Sequence, residues 1–277
     1  TGESRVSYVT SNMYLWGMIL CLYMKIHRFY IPEEVAKVLD NNQMVEIAPS
    51  DNDPYFDGEE FIHQITHVLR FKESDVFHVF NSVYGEYKVS LISAHKKSLQ
   101  IKVESKIEDK KVEGKVKITF AMSIIKKDKF ELVTEKATEL GVKDIIPMMT
   151  ERVVQKHLSE DRLLRITKEA SEQCGRVDIP TLSDTESLSE ILKKTKDYDL
   201  CLYGNMEGEM SLNVLTGFIE KDKTRSVIVF IGPEGGWTEG EVKMFADVGV
   251  KSISIHENTL RAETAAIGVL GDRKSVV

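Results

Sequence analysis

Cysteine is scarce in this 277-residue chain: Cys21, Cys174 and Cys201 are odd in number, far apart and form no CxxC pair. That excludes a disulfide framework and a zinc ribbon and fits a reducing compartment, so the cytoplasm is expected. Long apolar runs are also missing. The stretch MYLWGMILCLYM at 13–24 is twelve residues, short of the roughly 20 that span a bilayer. No small-residue cleavage site follows it, as a signal peptide would require. Residues 1–23 are therefore expected to be a leader or expression-derived segment, with Met24 the native first residue and no membrane partner. The dinucleotide fingerprint G-x-G-x-x-G, the P-loop G-K-[ST] and the zinc-protease H-E-x-x-H are all absent. A nucleotide-binding oxidoreductase is thereby disfavoured. His63 and His67 stand four apart without the rest of a metal motif, are expected on a barrel strand or turn, and predict no metal.

What remains is a globular composition, with 42% hydrophobic and 29% charged residues and a formal charge of -7. The charge is uneven. Residues 40–60 hold seven acids and no Lys or Arg, whereas residues 88–129 hold twelve lysines against five acids. Screening confines such a field to about 10 Å, so a basic region in an acidic protein still attracts phosphates. The same pattern also suits two solvated faces.

Two grammars divide the chain. Residues 24–105 read as a small β-barrel of short strands (44–48, 75–80, 86–93, 99–105) separated by turn formers. The polar, aperiodic stretch 106–115 reads as a linker. Residues 116–277 alternate strands (115–122, 144–148, 199–204, 226–231, 251–255) with helices (126–140, 159–174, 209–220, 239–248 and one from about 261). This predicts an α/β fold with a mostly parallel sheet covered on both faces, whose ligands bind where loops leave the strand C-terminal ends.

Two of those loops stand out. In VIVFIGPEGGWTEGEV, 227–242, a strand breaks into Gly232, Gly235 and Gly236, residues that admit positive φ and clear space for a ligand. Thr238 and Glu241 then form a capping-box pattern. In SISIHENTLRAETAAIGVL, 252–270, strand, polar loop and helix recur, so the two loops are expected to be neighbours. GPEGGWTEGE followed by LRAETAAI resembles the bacterial 16S ribosomal RNA uridine-N3 methyltransferases of the SPOUT superfamily. MKIHRFYIP, HVLR (67–70), KATELGVKDIIPMMTERV (136–153) and EASEQCGRVDIP (169–180) follow in that family's order, so the resemblance covers about 24–272.

The resemblance implies a SPOUT-type α/β domain threaded into a deep trefoil knot, which is rare among proteins. It also implies a PUA-like N-terminal barrel that binds RNA, S-adenosylmethionine as cofactor, a homodimer, and the small ribosomal subunit as substrate. Carried over by motif, the cofactor lies between three loops. These hold Leu202, Tyr203 and Gly204; then Ile231, Gly232, Pro233, Glu234, Gly235 and Gly236; then Ile255, His256, Asn258 and Leu260. Ile231, Ile255 and Leu260 suit an apolar adenine slot, and Glu234 is open between cofactor contact, partner contact and a loop hydrogen bond. Arg261 is expected at the chemistry, because a guanidinium stabilises the imide anion of uridine without competing for its proton. Thr264 is expected beside it. His27, Arg28, Arg70, Arg152 and Arg176 are candidates for RNA contact, each with an alternative as a packing or ion-pair residue. The chain departs from the family pattern at His256, where the pattern has glycine, and at Asn258, where it has a basic residue. Three functions stay open at this point: uridine-N3 methylation, SPOUT methylation of another target such as a ribose 2'-hydroxyl, and a non-catalytic knot protein whose pocket His256 blocks.

Overall fold

The computed structural model describes residues 26–41, 43–48, 53–107, 116–153, 157–208, 210–211 and 226–271. The expected leader, residues 108–115 of the expected linker and most of the expected helix at 209–220 lie outside these residues.

The N-terminal part is a five-stranded mixed sheet. Its strands are β1 (Arg28–Tyr30), β2 (Met44–Ile47), β3 (Val76–Asn81), β4 (Gly85–His95) and β5 (Ser98–Ile107), in the order β1-β3-β4-β5-β2. β5 runs two residues into the stretch read as linker. Helices α1 (Glu33–Leu39) and α2 (Gly58–His63) accompany it, and α2 continues into a π-helical turn, Gln64–Val68. His63 and His67 therefore sit on consecutive helical turns rather than on a strand or turn, stacked with ring centroids 4.9 Å apart. No strand pair closes the sheet into a barrel among the described residues. At the β1 edge the amide of Tyr30 donates to the Glu172 carboxylate at 3.0 Å. A side chain from the C-terminal part thus satisfies one edge amide.

The C-terminal part is an eight-stranded, all-parallel sheet. Its strands are β6 (Lys117–Ser123), β7 (Asp144–Met149), β8 (Thr181–Leu182), β9 (Glu186–Ser187), β10 (Leu200–Gly204), β11 (Met210–Ser211), β12 (Ser226–Ile231) and β13 (Lys251–Ser254). The path is β11-β13-β10-β12-β6-β7-β8, with β9 also on β7. Helices α3 (Lys127–Glu139), α4 (Glu160–Cys174) and α7 (Ala262–Gly271) cover one face. There Phe130, Val133, Leu163, Ala266 and Val269 pack on Ile118, Phe120, Val227 and Val229. Helices α5 (Leu188–Leu192) and α6 (Glu239–Asp247) cover the other, packing Leu188, Ile191 and Phe245 on Ile228 and Phe230. Successive side chains of a strand alternate between faces, so β12 reads as an unbroken apolar run because both faces are buried.

The order holds one unusual insertion: β13 lies between β10 and β11, although those two are joined by only a short segment. That segment crosses over β13. The Asn205 amide donates to the Ile253 carbonyl at 2.9 Å. Gly208 lies so close that an added Cβ would stand 2.2 Å from the Ile253 carbonyl carbon and from the Ser254 nitrogen. Only a residue without a side chain fits a backbone-on-backbone crossing.

Arg28 and Arg176 join the two parts. Arg28 forms a bidentate pair with Glu86, both bonds 2.9 Å, and donates to the carbonyls of Ser171, Glu172 and Arg176. Arg176 grips Asp178 and donates to the carbonyls of Thr138 and Val142. Burial alone would raise the Glu86 carboxyl, but Arg28 and then His78 outweigh it and hold it below the usual carboxylate range.

Candidate active site

Because every strand of the C-terminal sheet runs the same way, all its C-terminal ends open at one edge. At that edge lies a pocket of about 1190 Å³, a little above the roughly 300–1,000 Å³ usual for a single small ligand. Its walls come from five strand ends, β7 contributing Arg152 just past its last residue. β10 supplies Gly204, Asn205 and Met206, and β12 supplies Ile231 and the whole of Gly232–Trp237. The loop after β13 supplies Ile255, His256, Asn258, Thr259, Leu260 and Arg261, and the corner between β6 and α3 supplies Ile124, Ile125 and Lys126.

Side chains pin these loops to each other. Trp237 Nε1 donates to the Gly204 carbonyl at 2.8 Å. Its ring lies under Gly232, where an added Cβ would meet ring carbons at 3.0 to 3.3 Å. Arg152, just past β7, donates to the Gly235 carbonyl at 2.6 Å. The capping box of Thr238 and Glu241 is present, and the Glu241 carboxylate also accepts from the Glu151 amide at 2.9 Å. A buried carboxylate with several amide donors is a rigid tie. The glycines divide the work: Gly236 alone of the three has positive φ, at 70°, whereas a Cβ at Gly232 would press on the Trp237 ring at 3.0 Å and one at Gly235 would meet the Arg152 side chain at 3.3 Å.

The charged lining is Lys126, Lys129, Arg152, Glu234, Arg261 and Glu263, with His256. The side chain of Arg261 is exposed and makes no hydrogen bond or ion pair among the described residues. Glu263 is buried and pairs with Lys129 at 3.5 Å. His256 Nδ1 accepts from the Asn258 amide at 3.0 Å.

Residues 112–271 match the family model described as an RNA methyltransferase domain. The chain is 32% identical over 245 residues to the ribosomal RNA small subunit methyltransferase E of Rickettsia conorii, covering 88% of this chain and 93% of the relative. The protein of the same name from Bacillus subtilis is 29% identical over 237 residues, covering 82% and 91%. This chain belongs to the ribosomal RNA small subunit methyltransferase E family. Among solved structures, a methyltransferase of Legionella pneumophila with bound cofactor SAM superposes at a TM-score of 0.74 with 26% identity, over 91% of this chain and 98% of that one. The family protein of Neisseria gonorrhoeae, solved with S-adenosyl methionine, superposes equally well at 24% identity and supports the fold.

Within this family framework the structure brings Gly204, Ile231–Gly236, Ile255, His256, Asn258, Leu260, Arg261 and Arg152 to one pocket. Leu202 and Tyr203 are not among its lining. Leu202 is buried under α3 and α7, and Tyr203 stacks on Phe245 at 4.2 Å, because both faces of β10 are covered. Thr264 is exposed on the side of α7 turned away from the pocket, which takes 261–263 and 265 instead. Arg28 uses all five donors internally and Arg176 four, the arrangement of the packing or ion-pair alternative. His27 packs on Phe71, and Arg70 is exposed at the end of the π-helical turn with φ 56°; neither lines the pocket. Sequence reasoning missed Ile124–Lys126, Lys129, Trp237 and Glu263. Trp237 carried a signal, an aromatic directly after the glycine loop. Among the described residues no group of three or more His, Cys, Asp or Glu could hold a metal, and no helix is long and apolar enough to cross a membrane.

Proposed function

We propose that this protein transfers a methyl group from S-adenosylmethionine to N3 of a uridine in small-subunit ribosomal RNA. The observation that carries the reading is the convergence of the 204, 231–236 and 255–261 loops on one pocket, with Arg261 uncommitted at its wall. The relatives named above support the substrate class and the cofactor.

The pocket's chemistry fits the cofactor. Ile231, Ile255 and Leu260 offer an aliphatic slot for adenine, and Gly232–Gly236 present bare main chain for ribose hydroxyls and amino-acid groups. An added Cβ at Gly204 would stand 2.9 Å from Ile231 Cδ1, so a glycine there keeps the slot's floor closed. S-adenosylmethionine supplies an electrophilic methyl group on a sulfonium. The chain's part is to hold the uridine in line, shut out water and stabilise the negative charge that grows on the imide oxygens. Arg261 suits that last role because it stays protonated throughout. The His256 ring lines the pocket and is engaged by its own loop through the Asn258 amide.

We extend the reading to the rest of the molecule on the family resemblance. The N-terminal sheet serves as a PUA-like RNA-binding unit, with Lys88 and Lys102 on β4 and β5. Two chains pair as a homodimer, and the crossing of residues 205–208 over β13 belongs to a trefoil knot. The target base leaves its stack to reach the pocket, and the protein works with ribosomes in the cytoplasm.

The test is methyl transfer from labelled S-adenosylmethionine to small subunits lacking the modification. Arg261→Ala should lower the rate by about 10²–10³, as loss of one charge-stabilising donor does, with cofactor affinity kept within a few-fold. An Arg261→Ala protein of undiminished rate would remove the arginine from the chemistry.

A further inference from the structure

Uridine N3 carries a proton that must leave before or as the methyl group arrives, and a pocket that only stabilises charge does not say where that proton goes. Three ionisable groups in the lining could in principle accept it: Glu234, His256 and Glu263. Glu234 is exposed on the glycine loop, where water competes. His256 Nδ1 already accepts from the Asn258 amide, so a neutral ring carries its own proton on Nε2 and has no free acceptor. Glu263 is different. It is the one buried carboxylate among the described lining residues, 8% exposed, in the first turn of α7.

We propose that Glu263 is the general base of the reaction, with Lys129 as the cation that compensates the charge as it moves. The inference rests on the uridine-N3 reading above. Glu263 Oε accepts the N3 proton as the N3–H bond breaks. The pair left on N3 forms the new N3–C bond, while the methyl–sulfur bond breaks with its electrons staying on sulfur. The carboxyl group returns its proton to water when the product leaves. A carboxylate is a weak base for an imide, and the surroundings explain how it serves. Lys129 stands 3.5 Å from Glu263 and lines the same pocket. As negative charge passes from carboxylate to imide oxygen, an ammonium lining the same pocket can pair with whichever group holds it, so no unpaired charge is created in the pocket. The charged groups that share the pocket with Glu263 are Lys126 just before α3, Lys129 on α3, Arg152 past β7, Arg261 just before α7, and Glu234 on the glycine loop, with His256; β12, also packed against α7, brings no ionisable side chain. Four cations to one further acid offset the single negative charge of the reacting pair, whether the carboxylate or the imide carries it.

The test compares wild type with Glu263→Gln, which keeps the shape and cannot take the proton. Binding of S-adenosylmethionine and of undermodified small subunits should stay within about twofold. The single-turnover rate should fall by about 10²–10⁴, the usual share of general-base catalysis. The residual rate of E263Q should also rise about tenfold per pH unit through the neutral and mildly alkaline range, since the base must then arrive already ionised. E263Q that binds both partners and reacts within threefold of wild type overturns the assignment and leaves the uridine-N3 reading standing. So does a rate loss without steepened pH dependence, which means a structural role. If E263Q loses cofactor binding, Glu263→Asp decides: a retained carboxylate must restore a shallow pH profile, and a steep one refutes the base. Wild-type label in a nucleoside other than 3-methyluridine removes the reading itself, and this inference with it.

Discussion

Replacing Gly208 by alanine should open the crossing over β13, and the size of the effect follows from the contacts. An added Cβ would lie 2.2 Å from two backbone atoms of β13, against the 3.4 Å of ordinary contact, so the segment must lift by about 1.2 Å. Backbone cannot rotate aside as a long side chain could. The lift stretches the Asn205 amide bond to Ile253, 2.9 Å as it stands, well past the roughly 3.2 Å limit of a good hydrogen bond. Overpacking costs about 1–3 kcal/mol, and an orphaned, partly buried amide about 1–3 kcal/mol more. A loss of about 3 kcal/mol lowers Tm by roughly 6–12 °C at this domain size. Asn205 and Met206 line the pocket, so cofactor affinity should fall in parallel. Thermal unfolding with and without S-adenosylmethionine reads both. A Gly208→Ala protein within about 0.5 kcal/mol of wild type, the range of a neutral surface change, would refute the close crossing.

Two further perturbations test the ties around the site. Trp237→Phe keeps the aromatic packing on Phe245 but removes the 2.8 Å bond to the Gly204 carbonyl; it should cost about 1 kcal/mol of stability and weaken cofactor binding by isothermal titration. At the junction, Glu86 has a carboxyl pKa held below its unfolded value. Its contribution is therefore complete above the ordinary carboxylate range and disappears as pH falls below it. Glu86→Gln should destabilise the protein by about 3 kcal/mol at neutral pH and flatten the acid limb of a denaturant-midpoint profile. An unchanged acid limb would mean that Arg28 gains nothing from the pair.

Local features of the sequence were readable because their causes are local. The glycine loop with its capping box, the unbroken apolar run of β12 and the helix stop near Cys174 all depend on residues within a few positions of each other. What was missed depends on chain order in the sheet. Ile124–Lys126 and Lys129 reach the pocket only because β6 lies beside β12, and Glu263 is buried only because α3 meets α7. Gly208 reads as an ordinary loop glycine until β13 is laid under it. Leu202 and Tyr203 came to the pocket with the family motif, and a strand buried on both faces gives no sign that they pack into the core instead. Arg28 and Arg176 were candidates for phosphate because a sequence shows a guanidinium but not its partner. In the fold those partners are Glu86, Asp178 and helix-end carbonyls.

The central claim is that this pocket delivers a methyl group to a uridine nitrogen. It is tested most directly by labelling undermodified small subunits with methyl-labelled S-adenosylmethionine, digesting the RNA and identifying the labelled nucleoside. Label is expected in 3-methyluridine and lost in Arg261→Ala. Label in a 2'-O-methylated nucleoside or in another base would contradict it.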